Sequence, residues 1–432
     1  MTILIRNGRV IDPAQHSDEV GDILICNGII EASGRQLEAD ADQIIDAGGK
    51  WVVPGLIDLH VHFRDPGYTH KETIATGSRS AAMGGFTTVC CMPNTKPVTD
   101  CAAVVEEIKE KAKREGIVNV LPVGAITKGQ GGEALADIAD MARAGICALS
   151  EDGKTVENAA LMKQALQMAA ALNLPVFSHC EDIDLAGDGQ VNEGPRAEHL
   201  GLAGISNDSE EVIVSRDAIL ARSVKARLHI CHASARGSVR VVRTAKSRLQ
   251  DITAEVTPHH FTLIDEDIPE SPHGNYKMSP PLRSRKDREA LLNALRDGTI
   301  DVIATDHAPH HADEKNQGFA KALNGIVGLE TAFALSYTEL IDKNVLTPLE
   351  LIEKMSTNPA KILGINRGTL AKGSVADIAI FDVDTEYAVD VNAFASMSKN
   401  SPFHGRLVRG KTEYTIVGGR IVVEKGRLVR CR

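Results

Sequence analysis

No Cys-x-x-Cys pair occurs in the 432 residues. The eight cysteines (Cys26, Cys90, Cys91, Cys101, Cys147, Cys180, Cys231 and Cys431) are scattered, and several sit inside apolar runs. There a cysteine behaves as a small buried hydrophobe. The pattern predicts packed free thiols in a reducing cytoplasm rather than a disulfide framework. No run of about 18 apolar residues is present, so no membrane span is expected. The opening MTILIRNGRVID is short and alternating and lacks the apolar stretch of a secretion signal. Positive charge is not in excess: the formal net charge is −10. That argues against a nucleic-acid partner. It leaves an anionic small substrate open, because a local cationic site overrides the net field.

What is present reads as globular. Hydrophobic residues make up 43% and charged residues 25%, near the norm for folded domains. The length suits one large domain plus a smaller one. Residues 1–53 and 367–432 read as short strands and turns, with TIVGGRIVV as a hairpin signal. The two ends are expected to join in one small β-sandwich domain. Residues 54–366 alternate strand-like and helix-like segments. The strand candidates are GLIDLHVH, FTTVCCMPN, NVLPVGAIT, ICALSED, LPVFSHCED, RLHICHAS, ITAEVTP and DVIATDHAP. Of the helical segments, DCAAVVEEIKEKAKREG is expected to be capped by Asp100, to bury Val104, Val105, Ile108 and Ala112, and to stop at Gly116. NAALMKQALQMAAALN and SARGSVRVVRTAKSRL are others. The repeat predicts an α/β fold, a (β/α)8 TIM-type barrel. A doubly wound open sheet competes, but no G-x-G-x-x-G follows the first strand.

In a barrel, chemistry sits at the C-terminal ends of the strands. His60 and His62 end the first candidate strand, Asp152 follows the fourth, His179 ends the fifth, His232 the sixth and Asp306 the eighth. A single histidine at a strand end is more often a hydrogen-bonded structural residue. Six potential ligands at one end of five strands point instead to a divalent metal such as Zn²⁺. Two metals about 3.5–4 Å apart can hold a hydroxide that attacks an amide-like bond. Arg64 should share the face of His60 and His62 by strand alternation. Beside cationic metals, its guanidinium suits a substrate carboxylate; an ion pair with Asp65 is the plainer alternative. Asn94 in CMPNT can add an amide donor or be only a turn residue. In TDHAPH, His310 follows Pro309 and could reach the substrate. HADEKNQGFAKALNG, after it, reads as a mobile loop able to cover the site. His229 should face away from His232. His259 and His260 read as packing, and His70, His199, His273 and His404 fit no pattern.

PGLIDLHVHFRDPG, PNT, SHCED, CHAS and ATDHAPH together resemble the amidohydrolase superfamily. Within it the chain is most similar to the longer bacterial dihydroorotases, over nearly its whole length. The resemblance implies reversible closure of N-carbamoyl-L-aspartate to (S)-dihydroorotate plus water, in pyrimidine biosynthesis. It implies two Zn²⁺ per subunit: His60 and His62 on one, His179 and His232 on the other, Asp152 bridging, and Asp306 completing the first site. Lys154, two residues beyond Asp152, is expected to be a solvated loop residue rather than a carboxylated bridge. By the same resemblance Asp306 shuttles the proton. His62, Arg64, Asn94, Asp306 and His310 contact the substrate, with the carboxylate held by Arg64, Asn94 and His310. Asn324 and Gly325 meet the ring through their backbone. Relatives read N-P-P-L-R where this chain has SPPLR, so Ser279 stands where an asparagine is expected at the ring. A cytoplasmic homodimer, with aspartate transcarbamoylase as a candidate partner, completes the expectation. Two competitors remain. One is a sister activity on hydantoins, dihydropyrimidines or allantoin. The other is a silent subunit scaffolding the transcarbamoylase, which would be expected to lose metal-binding histidines.

Overall fold

Leu56–Val61 and Phe86–Cys91 are buried along their whole length, as parallel strands covered on both faces must be. The computed structural model describes residues 1–248 and 251–429; Cys431 lies outside the described residues. Eight parallel segments form the barrel. In order they are Leu56–Val61, Phe86–Cys91, Asn119–Pro122 continued by Gly124–Ala125, Leu149–Ser150, Val176–Ser178, Leu228–Ile230, Ile252–Val256 and Val302–Ile303. Each coincides with a strand expected from sequence. Register runs around the ring through pairs such as Val89 with Val120, Leu149 with Val176, and Val256 with Ile303. The seam closes just beyond the first and eighth strands, where Val61 bridges to His307 and the His62 N–H donates to the His307 carbonyl at 2.8 Å.

Helices pack outside the ring. Ile74–Met83 starts in a reciprocal cap between Thr73 and Thr76. Ala102–Glu115 buries Val104, Val105 and Ile108, leaves Ala112 half-buried, and ends at Gly116 as expected, but Asp100 does not cap it. Its first turn begins at Cys101, and the Asp100 carboxylate instead accepts the Gly129 N–H at 2.7 Å. Ala159–Ala171 and Arg236–Ser247 match the other expected helices. Among the described residues no helix is long and apolar enough to cross a membrane. All seven described cysteines are free.

The two chain ends build one nine-stranded sheet. Ile378–Ala388, from the C-terminal part, pairs antiparallel with Trp51–Pro54, from the N-terminal part, placing Ile380 opposite Val52. Leu407–Val417 and Arg420–Glu424 form the expected hairpin, with Gly418 and Gly419 at φ of 55° and 74°. Both values suit the turn that matches strand twist. The sheet curls on itself, so the turn at Gly28 abuts Gly418 closely enough that a Cβ on Gly28 would meet its carbonyl at 2.7 Å. Ile3, Ile23, Ile25, Ile378 and Ile416 fill the interior. The sheet is fastened to the barrel by aromatics. Phe381 stacks on Phe333 with centroids 3.5 Å apart, and Trp51 meets Tyr337 edge-on at 5.3 Å. Phe381 is fully buried. Replacing Phe381 with Ala should therefore cost about 3–5 kcal/mol. Denaturant unfolding measures this; a loss under about 1 kcal/mol would show that the stack does not hold the two parts together.

Candidate active site

At the C-terminal mouth of the barrel, two buried carboxylates sit among four imidazoles. Asp152 Oδ1 lies 3.2 Å from His60 Nε2, 3.3 Å from His179 Nδ1 and 3.5 Å from His232 Nε2. Its other oxygen is 3.3 Å from His62 Nε2. Asp306 Oδ1 is 3.0 Å from His62 Nε2 and 3.5 Å from His60 Nε2. The six side chains expected from sequence thus converge, with Asp152 between two groups. His60, His62 and Asp306 form one; His179 and His232, 3.0 Å apart, form the other. His232 and Asp306 hold left-handed backbones, at φ of 31° and 47°. Such conformations are costly for residues other than glycine and cluster at functional sites.

The electrostatics call for a cation. Burial works against a charged imidazole. Even so, Asp152, Asp306 and Glu255 hold His60 protonated far above its usual range. Likewise His179, despite burial, is raised to about 10 by Asp152 and Glu181. Burial would raise both aspartates, but the imidazoles outweigh it: Asp152 is held well below the carboxylate range and Asp306 at about 2. These imidazolium protons stand where a metal's charge would. His60 Nε2 and Asp152 Oδ1 are buried and face each other at 3.2 Å, yet among the described residues neither has a hydrogen bond of good geometry. Orphaned polar atoms are expensive at that depth, and a divalent cation would satisfy both. The donor set fits the metal expected from sequence. Lys154 is exposed and donates to the Gln130 carbonyl, away from any bridging position.

A cavity of about 240 Å³ opens above the ligands, a size for a small molecule. Arg64, Asn94, Ser279, His310, Asn324 and Gly325 all line it; so do His62 and Asp306. Arg64 arrives by a different route from strand alternation. The strand ends at Val61, and a left-handed Arg64, φ 59°, turns the side chain inward. There its Nε donates to the Pro309 carbonyl at 3.2 Å. Asp65 is no partner for it: its carboxylate pairs with Lys111 at 2.7 Å. Among the described residues Arg64 makes no ion pair, so its charge is available to a ligand. Asn94 accepts from His62 Nδ1 at 2.9 Å, which directs His62 Nε2 toward Asp306 and leaves the Asn94 amide nitrogen for the cavity. Burial and the nearby Arg64, Lys71 and Lys315 push His310 down to about 2. The neutral ring donates from Nε2 to the Asn324 carbonyl at 2.8 Å and accepts from Lys71 at 3.3 Å. Ser279 donates to Glu181 at 3.0 Å.

Two expectations need correction. His229 does not turn away. Its Nε2 lies 2.9 Å from Glu255, whose other oxygen takes His60 Nδ1 at 2.8 Å. The segment after His310 is not a bare polar loop: Phe319, Ala322 and Lys315 are all buried. Sequence reasoning also missed Glu255 and Glu181. An acidic residue inside the apolar strand ITAEVTP was a legible signal, because a buried charge demands partners. Glu181 follows His179 by two residues and lines the same cavity, with its Oε2 3.5 Å from His179 Nε2.

The comparisons with known proteins agree with this geometry. A family model described as Dihydro-orotase-like matches residues 49–238, and an Amidohydrolase family model matches residues 261–423. A dihydroorotase of Acetivibrio thermocellus is 51% identical over 98% of this chain and 99% of its own length. One of Geobacter sulfurreducens is 52% identical, over 99% of this chain and 100% of its own length. The chain belongs to the dihydroorotase family. Among solved structures, an L-hydantoinase (dihydropyrimidinase) from Arthrobacter aurescens superposes with a TM-score of 0.89 at 28% identity. The match covers 99% of this chain and 97% of that one. The barrel-plus-sheet architecture is thus shared with other cyclic amidohydrolases, whereas the sequence falls with dihydroorotases. Glu255 is the carboxylate that sets the tautomer of His60, whose Nε2 faces Asp152 and Asp306. Replacing Glu255 with Gln should weaken divalent-metal retention roughly 10- to 100-fold. Competition with a chelator measures it, and unchanged retention would remove Glu255 from the metal site.

Proposed function

We propose that the protein is a zinc-dependent dihydroorotase of de novo pyrimidine biosynthesis. It interconverts N-carbamoyl-L-aspartate and (S)-dihydroorotate plus water, with two metals per subunit. The observation that carries this reading is Arg64: a guanidinium without an ion-pair partner among the described residues, lining the cavity that also holds the proposed metal ligands. Hydantoins, dihydropyrimidines and allantoin carry no ring carboxylate, and for them that cation would be desolvated without compensation. A silent scaffold is disfavoured by retention of all six ligands.

His60, His62 and Asp306 would hold one metal, His179 and His232 the other, with Asp152 shared. A divalent ion there supplies Lewis acidity, polarising a carbonyl and lowering the pKa of water. The rest is done by this chain. Arg64 and the Asn94 amide nitrogen donate to the substrate carboxylate, with His310 completing that end of the cavity. Asn324 and Gly325 face the ring. Asp306, held ionised, takes the proton of the attacking water and delivers it to the leaving ring nitrogen. In the synthetic direction the same carboxylate returns the proton to the departing oxygen. Ser279 contributes through Glu181, its hydroxyl being committed there. The reading extends to a cytoplasmic homodimer able to associate with aspartate transcarbamoylase; of these, the free thiols among the described residues support only a reducing compartment.

Replacing Asp306 with Ala should lower turnover of dihydroorotate by roughly 10²- to 10⁴-fold. A variant keeping most of its activity would refute the shuttle. Assayed side by side, wild-type protein should hydrolyse dihydroorotate far faster than dihydrouracil or allantoin. A preference for the uncharged rings would overturn the reading in favour of a sister activity.

A further inference from the structure

The loop after His310 carries a lysine whose environment is unlike that of a surface residue. Lys315 is 2% exposed. Among the described residues it has no carboxylate partner. Its ammonium donates to three backbone carbonyls: Leu323 at 2.6 Å, Gly325 at 2.8 Å and Lys277 at 3.1 Å. A buried cation is tolerated only when its protons are all taken, and here each has an acceptor. Those acceptors belong to two separate stretches of chain. Leu323, Asn324 and Gly325 line the cavity, and Lys277 lies two residues before Ser279, which also lines it. The stretches touch directly as well, the Gly325 N–H donating to the Lys277 carbonyl at 3.0 Å. Gly274 is packed so tightly on this loop that a Cβ there would lie 2.3 Å from the Lys315 carbonyl. From the other side, Asn400 ties Gly325 to His310: its amide nitrogen donates to the Gly325 carbonyl at 3.0 Å, and its oxygen accepts the His310 N–H at 3.1 Å.

We infer that Lys315 is a positioning residue for substrate binding, clamping the 277–279 and 323–325 segments into one rigid wall against which the substrate ring lies. This rests on the dihydroorotase reading for the identity of the ring, though not for the clamp itself. The ammonium touches neither metal ligands nor reacting atoms. It therefore serves binding alike in ground and transition states, which is the signature of an effect on KM rather than kcat. Three short bonds to carbonyls also keep mobile backbone from having to be ordered at each binding event.

The test uses the full-length, metal-loaded protein and Lys315→Met, which keeps the stem and removes the donors. The expected result is a KM for dihydroorotate raised at least tenfold, kcat within about threefold, metal content unchanged, and faster amide exchange at Leu323 and Gly325 alone. A merely structural lysine would lower the unfolding temperature while leaving KM and those two amides as in wild type, and that result overturns the inference. Should Lys315→Met not fold, wild-type exchange decides. Leu323 and Gly325 should be as protected as the His310 amide; loop-like exchange there overturns the clamp. Wild-type protein inactive on dihydroorotate would contradict the proposed function, and the exchange measurements would then decide on the clamp by themselves.

Discussion

Asp152 and Asp306 are both buried within 3.5 Å of the same imidazole nitrogen of His60. Two carboxylates that close, shielded from water, repel each other unless positive charge is placed among them. Everything at the barrel mouth answers that constraint. The surrounding carboxylates favour the protonated forms of His60 and His179, which would supply that charge, as would a divalent metal. The left-handed backbones of His232 and Asp306 are the conformational cost of bringing the donors to one place, and the barrel's closed hydrogen bonding holds them there.

Around this centre the chain arranges a second ring of contacts. Glu255 takes the far nitrogen of His60 and also the backbone N–H of His232, so one carboxylate orients two ligands from different strands. Asn94 does the same for His62, and Glu181 lies beside His179. Each leaves the other ring nitrogen turned toward Asp152 or Asp306. Asn94 and Glu181 also line the cavity, which therefore shares walls with the cluster of imidazoles and carboxylates. Arg64 sits where an acid group of the ligand would complete it. An L-hydantoinase shares this architecture, so the fold alone does not distinguish the two activities.

Much of this was legible in the sequence. Periodicity marks the eight strands, and the barrel rule makes His60, His62, Asp152, His179, His232 and Asp306 one constellation from sequence alone. What escaped depended on backbone details that residue types do not encode. Arg64 reaches the cavity through a positive φ, not through alternation. Asp100 looked like a helix cap but was drawn off by the Gly129 amide, a partner distant in sequence. Lys315 reads as one charge in a polar loop, because three carbonyl acceptors leave no trace in side-chain identity. Glu255 could have been found, since an acid in the middle of an apolar strand needs a reason to be there.

The most direct test of the central claim is elemental analysis of gel-filtered protein, paired with dihydroorotate turnover before and after chelation. The account predicts two zinc-type ions per chain, activity lost on their removal and restored when they return. Protein that retains no metal while turning over dihydroorotate at full rate would contradict it.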